Sequence, residues 1–283
     1  MKTILGHEEE IKLLKKLHEQ GTLGHAYIFY GPENIGKTTV AKGFANYLET
    51  GEFEITDKPL QDSKVFSPEE ELIGIDKMRE LKNFLSRKPL IAPRKVAIIE
   101  SGELLNDQAQ NALLKSAEEP PASSLIILTI QNPESLIPTL MSRFQKIYFG
   151  EPSEKKVTKF FENENKKDFQ SAFEFFGGKI GLITNYLEDK DFKNEINETK
   201  KYLESSPIKR EELLKQKLED ENFSPRNFVK TVILLISKAA HNKQNIKNWH
   251  EIMELFTNLE YYNLNSKIQL KYLNQLLTTW KNT

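Results

Sequence analysis

The sequence predicts an α/β domain with a parallel sheet, followed by a small helical domain and an all-α C-terminal domain. Three observations carry this. Short, wholly apolar runs alternate with helical patterns over the first half of the chain. Ten of the 13 glycines and nine of the 12 prolines lie in residues 1–150, so the punctuation that alternating short elements need is confined there. A glycine-rich loop, GPENIGKT at 31–38, stands between an apolar run and a helical pattern. The expected domains are residues 1–150, 151–205 and 206–283, with boundaries at GEPS (150–153) and near ESSP (204–207).

The elements follow in order. AYIFY (26–30) is a buried strand, because no polar residue gives it a solvent face. GKTTVAKGFANYL (36–48) sets Val40, Phe44, Tyr47 and Leu48 on one helical face. A polar connection, roughly GEFEITDKPLQD, comes next. KVAII (95–99) is the second strand, and NDQAQNALLKSAEE (106–119) is a helix stopped by Pro120 and Pro121. SLIILTI (124–130) and KIYF (146–149) complete a four-strand expectation. Three helices are expected over 151–205, around EKKVTKFFENEN and AFEFFGGKIGLITNYLED. Beyond 206 come REELLKQKLED, PRNFVKTVILLISKAAHN and the stretch from Asn248 to Trp280. NFVKTVILLISKAA is apolar on more than one face, which favours burial.

Composition narrows the function classes. The chain has 283 residues, with 29% charged and 38% hydrophobic, as in a soluble globular protein of several domains. The net charge is −1, divided as −3 over 1–150 and +2 over 151–283. No global field therefore draws it to nucleic acid or membrane. The absence of cysteine excludes disulfides, thiol catalysis and cysteine-held zinc, and fits a reducing cytoplasm. MKTILGHEEE lacks the apolar core of a signal peptide, and no stretch approaches the ~18 apolar residues of a membrane span.

GPENIGKT fits G-x-x-x-x-G-K-[ST] in full, in the strand–loop–helix context the motif needs. Gly31 and Gly36 let backbone N–H groups turn around a phosphate. Lys37 reaches the β- and γ-phosphates, and Thr38 offers a hydroxyl to Mg²⁺. Asn34 and Thr39 belong to the same phosphate-side set. The expected ligand is ATP or ADP with Mg²⁺. The stretch VAIIESGELL (96–105) tempers this. Glu100 ends the strand where a Mg²⁺-side carboxylate belongs, the alternative being a solvated strand end. Ser101 stands where an acid that handles the attacking water is expected, and a hydroxyl with no adjacent base is a poor substitute. Glu103 lies nearby, but its place beyond a glycine turn makes it a poor replacement for the missing acid.

Three ordered segments carry a resemblance: ILGHEEEIKLLKKLHEQGTLGHAYIFYGPENIGKTTVAKGFA, GIDKMRELKNFLSRKPLIAPRKVAIIE (74–100), and NDQAQNALLKSAEEPPASSLIILTIQNPESLIPTLMSRF (106–144). Together they resemble the clamp-loader subunits of bacterial DNA polymerase III, within the AAA+ group, and among them the delta-prime type. The resemblance covers residues 1–150 and extends more weakly over the helices beyond. It implies that 151–205 form a lid and that 206–283 join a collar in a hetero-pentamer. The implied partners are gamma/tau-type and delta-type subunits, with the sliding clamp and primer-template DNA met through the complex and no membrane.

The resemblance also assigns residues. Ile4, Leu5 and His7 match the segment that lies beside the adenine. Arg143, in MSRF, matches the arginine that reaches a neighbour's γ-phosphate, where such a finger is worth about 10³–10⁵ in rate. The alternative is a surface arginine paired with a carboxylate. The departures lie at Glu100-Ser101 in place of Asp-Glu, Gln131 at the expected sensor position, and Leu182 where a lid arginine is usual. The four-cysteine zinc module is missing. These point to a subunit that holds nucleotide with little or no turnover of its own. The alternative is an active gamma-type motor ATPase; a small-molecule P-loop kinase lacks any acceptor-site signature.

Other residues read more plainly. RKPLIAPRK (87–95) is either a phosphate-facing patch or solvated cations. Phe144 is expected to pack, His25 to be a satisfied structural residue, and Trp249 and Trp280 to be core or interface anchors. His241 and His250 show no metal-ligand spacing.

Overall fold

The computed structural model describes residues 4–56, 58–68, 72–162, 164–220, 223–237, 245–261 and 265–280. Contacts divide the chain into two units, Met1–Phe173 with Gly177–Ile183, and Glu174–Phe176 with Thr184–Thr283. No described helix is long and apolar enough to cross a membrane.

The first unit is a parallel sheet between helices. Its elements are α1 (Glu8–Glu19), β1 (Ala26–Tyr30), α2 (Lys37–Thr50), β2 (Ser63–Phe66), α3 (Ile75–Leu85), β3 (Lys95–Ile99), α4 (Asp107–Glu118), β4 (Ser124–Ile130), α5 (Pro138–Met141), β5 (Gln145–Tyr148) and α6 (Glu154–Phe160). The five strands run in the order β2-β3-β4-β1-β5, every neighbouring pair parallel. The sequence expected four. The addition is β2, an edge strand with only Phe66 fully buried, so no continuous apolar run announces it.

Strand alternation divides the core. Ile28, Ala97, Ile99, Ile126 and Leu128 face α3, α4 and α5. Tyr27, Phe29, Val96, Ile98, Leu125 and Ile127 face α1 and α2, where Leu14, Val40, Phe44 and Leu48 meet them. Each such aliphatic side chain contributes about 1.5–3 kcal/mol when fully buried. Local caps fix the helix ends. Asn106 accepts the Ala109 N–H at the start of α4, and Gly51, at φ 83°, ends α2.

Over 151–205 the structure has four helices where three were expected: α6, α7 (Lys166–Phe176), α8 (Ile180–Glu188) and α9 (Lys190–Glu204). The extra one is α9, which Asp189 caps through the Asp191 and Phe192 N–H groups. In the second unit α9 packs on α10 (Pro207–Leu218) and α11 (Pro225–Ile236). With α12 (Ile246–Tyr261) and α13 (Ser266–Thr278) they enclose Tyr202, Leu214, Phe228, Val232, Ile252 and Leu273. The Trp249 and Trp280 rings pack 6.3 Å apart against this core. Residues 238–240 of the expected apolar helix, and His241, lie outside the described residues.

One buried ion pair fixes the segment before β3. Asp62, 1% exposed, accepts the N–H groups of Leu90, Ile91 and Ala92, and Lys95 Nζ lies 2.8 Å away. Burial pushes the Asp62 carboxyl up, but Lys95 and the backbone donors outweigh it and hold the pKa at about 2. Removing one partner of such a pair leaves a buried, uncompensated charge. Asp62→Ala should therefore lower unfolding stability by about 3 kcal/mol in denaturant titrations. Because the folded pKa lies below the ordinary 3.8, this contribution is complete above that pH and fades as pH falls toward 2. The gap between wild type and variant should narrow over that window.

Candidate nucleotide site

The loop after β1 is shaped by backbone that side chains cannot enter. Gly31 has φ 141°, and a Cβ there would lie 2.0 Å from the Phe149 carbonyl oxygen. Its N–H donates to Gln131 O at 3.2 Å, while Phe149 N–H donates to Tyr30 O at 2.8 Å. Asn34 (φ 59°) and Gly36 (φ 105°) turn the chain left-handed twice more before α2 begins. The first N–H groups of a helix have no intrahelical partner, so this turn aims free donors at one point.

Two further contacts hold the loop. His7, 6% exposed, donates from Nε2 to Ile35 O at 2.8 Å, its ring edge against Phe149. Gly181 N–H donates to Asn34 O at 2.8 Å, which ties the start of α8 to the loop. Ile4 and Leu5 are half-buried. Ile4 lies flat on α2, where a Cβ at Gly43 would be 2.4 Å from its Cδ1.

Lys37 is 8% exposed and donates to the carbonyls of Gly31 (2.7 Å) and Pro32 (2.5 Å). Burial lowers its pKa, while the carboxylates of Glu103 and Glu33 pull the other way. Thr38 Oγ1 lies 3.3 Å from Thr129 Oγ1, and Thr129 in turn reaches Ile99 O. Thr39 sits half-buried on the same turn. Thr129 escaped the sequence reading, which took Gln131, exposed in the structure, as the residue nearest the sensor position. The signal was there: a hydroxyl inside an apolar buried strand needs a partner.

The end of β3 differs from the expectation in two ways. Glu100 is committed: Ser67 Oγ donates to Oε2 at 2.6 Å and Lys42 Nζ lies 2.9 Å from Oε1. Ser101 is left-handed (φ 53°) and opens a 3-10 turn over Gly102–Leu104. A Cβ on Gly102 would be 2.3 Å from Leu128 Cδ1, so the turn lies directly on β4. Beyond this turn Glu103 is half-buried; its charge opposes the lowering of the Lys37 pKa, and its Oε2 is buried without a hydrogen-bond partner.

Arg143 follows α5 on the surface, 54% exposed, with a 3.4 Å contact to Glu118. Phe144, 4% exposed, packs in the core beside it. Leu182, 8% exposed, is a buried apolar residue on the first turn of α8. The basic run splits. Arg94 donates to the carbonyls of Leu23 and Gly24 and Lys95 pairs with Asp62, while Arg87 and Lys88 stay exposed. His25, expected to be a satisfied structural residue, is exposed, as is His250.

The family model described as "DNA polymerase III, delta subunit" matches residues 6–153. The chain belongs to this family. Its matched part is 35% identical over 134 residues to the DNA polymerase III subunit delta' of Pseudomonas aeruginosa, covering 42% of this chain and 41% of that protein. The tau subunit of Bacillus subtilis is 31% identical over 159 residues, covering 52% of this chain and 28% of its own length. The matches thus span less than half of these relatives. A gamma subunit-related protein of Thermotoga maritima superposes with a TM-score of 0.64 at 18% identity, covering 96% of this chain and 99% of that one. The fold is that of this AAA+ group. The delta-family match ends near β5, so it contains the whole loop and the Arg143 segment.

Gly31 leaves no room for a methyl group and holds a φ that L-residues rarely adopt. Gly31→Ala should lower stability by about 2 kcal/mol or more. A thermal midpoint equal to wild type would show that the loop can shift away from Phe149.

Proposed function

We propose that this chain acts as the delta-prime-type subunit of a DNA polymerase III clamp loader, binding nucleotide and activating a neighbour rather than turning over by itself. Gly31, Asn34, Gly36, Lys37, Thr38 and Thr39 form the phosphate side, with Ile4, Leu5 and His7 along the base. The bound group is ATP or ADP with Mg²⁺, whose metal neutralises phosphate charge. The residues present fit it: three left-handed positions shape the loop, and Lys37 caps its carbonyls from within. Lys37 would exchange those carbonyls for phosphate oxygens, and Thr38 would turn its hydroxyl to the metal.

The observation that carries the reading is the asymmetry of the site. The loop and Lys37 are intact, yet the end of β3 offers a glutamate already paired with Lys42 and a serine in place of the second acid. Such a site binds without activating water. Arg143 completes the argument. It projects from a buried anchor, Phe144, and its contact with Glu118 is a weak surface pair that a phosphate can displace. The proposed partners are gamma/tau-type and delta-type subunits, which together open a sliding clamp on primed DNA. The lid and collar roles of 151–205 and 206–283, and a place in the cytoplasm, belong to the same reading.

DNA- and clamp-stimulated ATP hydrolysis by the reconstituted loader tests this, with the isolated chain as baseline. The isolated chain should be silent, and Arg143→Ala should reduce loader turnover by about 10³ or more while assembly survives. Multiple turnover by the chain alone, abolished by Lys37→Ala and indifferent to Arg143, would make it a gamma-type motor instead.

A further inference from the structure

We propose that Lys42 serves as a built-in counter-cation for Glu100, which frees nucleotide binding at this site from a divalent metal. The inference rests on the nucleotide-binding reading above and assigns to Lys42 the metal dependence of that site. It starts from the state of the strand-end carboxylate. Lys42 Nζ lies 2.9 Å from Glu100 Oε1, and Ser67 Oγ donates to Oε2 at 2.6 Å. Each oxygen thus has a donor, and one donor carries a full positive charge. The Glu100 side chain is only 23% exposed, so water screens this pair less than it screens a fully exposed one.

A chain of contacts places this pair beside the phosphate end of α2. Thr38 Oγ1 lies 3.3 Å from Thr129 Oγ1 of β4, and Thr129 Oγ1 donates to the carbonyl of Ile99 at 3.5 Å. Ile99 is the last residue of β3, and Glu100 is the next. Two short steps thus join the hydroxyl that would face the metal to the backbone that carries Glu100. Lys42 closes the circuit from the helix. It stands one turn after Thr38 on α2, so the two share a face. Side chains on a helix lean toward its N-terminus, and this lean directs the Lys42 stem toward the Thr38 turn. The two lysines of α2 then differ in kind. Lys37 donates to the neutral carbonyls of Gly31 and Pro32, which phosphate can replace, whereas Lys42 is committed to a carboxylate.

The chemistry gives the consequence. A hard divalent cation in a phosphate site is held by one or two carboxylates together with phosphate oxygens and water. To take Glu100 it would have to displace an ammonium already in contact, and two cations repel across one carboxylate. The protein then offers the metal only the Thr38 hydroxyl, while its phosphate and water ligands are the ones it has in solution. Metal-bound and metal-free nucleotide therefore meet nearly the same site. Removing the Lys42 charge changes the sign of the field. The uncovered carboxylate repels free nucleotide and attracts nucleotide that carries Mg²⁺.

Calorimetric titration of the full chain with ADP, in Mg²⁺ and in EDTA, reads this directly. Wild type should bind with nearly equal affinity in the two conditions. Lys42→Met, which keeps an unbranched stem and removes the charge, should raise the ratio of the Mg²⁺ to the EDTA affinity by roughly tenfold. Lys42→Gln should do the same and provides a second arm if the methionine variant folds poorly. Lys42→Arg, which keeps the charge, should retain the wild-type ratio. Combining Lys42→Met with Glu100→Gln should restore that ratio, because the gain runs through the carboxylate. A wild-type affinity that collapses in EDTA would overturn the proposal and leave the nucleotide site standing. So would a ratio that stays at the wild-type value in both Lys42→Met and Lys42→Gln, or a gain that survives Glu100→Gln. Absence of ADP binding by wild type in both conditions would remove the nucleotide reading, and this proposal with it.

Discussion

Gly31 runs so near the Phe149 carbonyl that a Cβ would stand 2.0 Å from its oxygen, and the candidate site is organised around this crossing. At φ 141°, with no space for a side chain, the chain leaves β1 and crosses directly beneath the end of β5. That crossing sets where the loop begins. The left-handed residues Asn34 and Gly36 set where it ends, and α2 then starts with its unpaired N–H groups facing inward. His7 and Gly181 lock the outside of the same loop through Ile35 and Asn34. The sheet supplies the rigidity. β1 lies between β4 and β5, buried on both faces, so the loop inherits the positional precision of a central strand.

The same sheet decides the fate of the acids. β3 delivers Glu100 to its end, but Lys42 of α2 and Ser67 beyond β2 meet it there. Ser101 and Gly102 then fold the next segment down onto β4. Thr129 belongs to the same layer, since its hydroxyl meets Thr38 from the strand beside β1. Away from the site, Asp62 shows the cost of holding an irregular segment in place. A buried carboxylate is stabilised there by Lys95 and by the N–H groups of Leu90, Ile91 and Ala92.

The chain itself reveals much of this. AYIFY, KVAII and SLIILTI are apolar along their length because a parallel sheet covered on both faces buries every residue, and all three are strands within a residue of expectation. GPENIGKT is legible because glycine is the residue that occupies φ values near 105° and 141° without strain. Arg143 and Phe144 divide as the motif suggests, one exposed and one buried. β2 is not legible, since an edge strand of four residues with one buried side chain lacks a period to read. Neither is the extra helix α9 in 151–205, whose polar sequence is helical through its Asp189 cap and one packed face.

Sequence alone determined the fold class, the loop, its lysine and the exposed arginine, because each depends on local backbone preference or on residues adjacent in the chain. Only the tertiary structure decided which carboxylate is free. Glu100 and Glu103 are three positions apart and chemically identical, yet Lys42 and Ser67 reach Glu100 from other elements while Glu103 Oε2 finds no hydrogen-bond partner. A side chain's partners across a sheet are set by how strands and helices pack, and no short stretch of sequence encodes that.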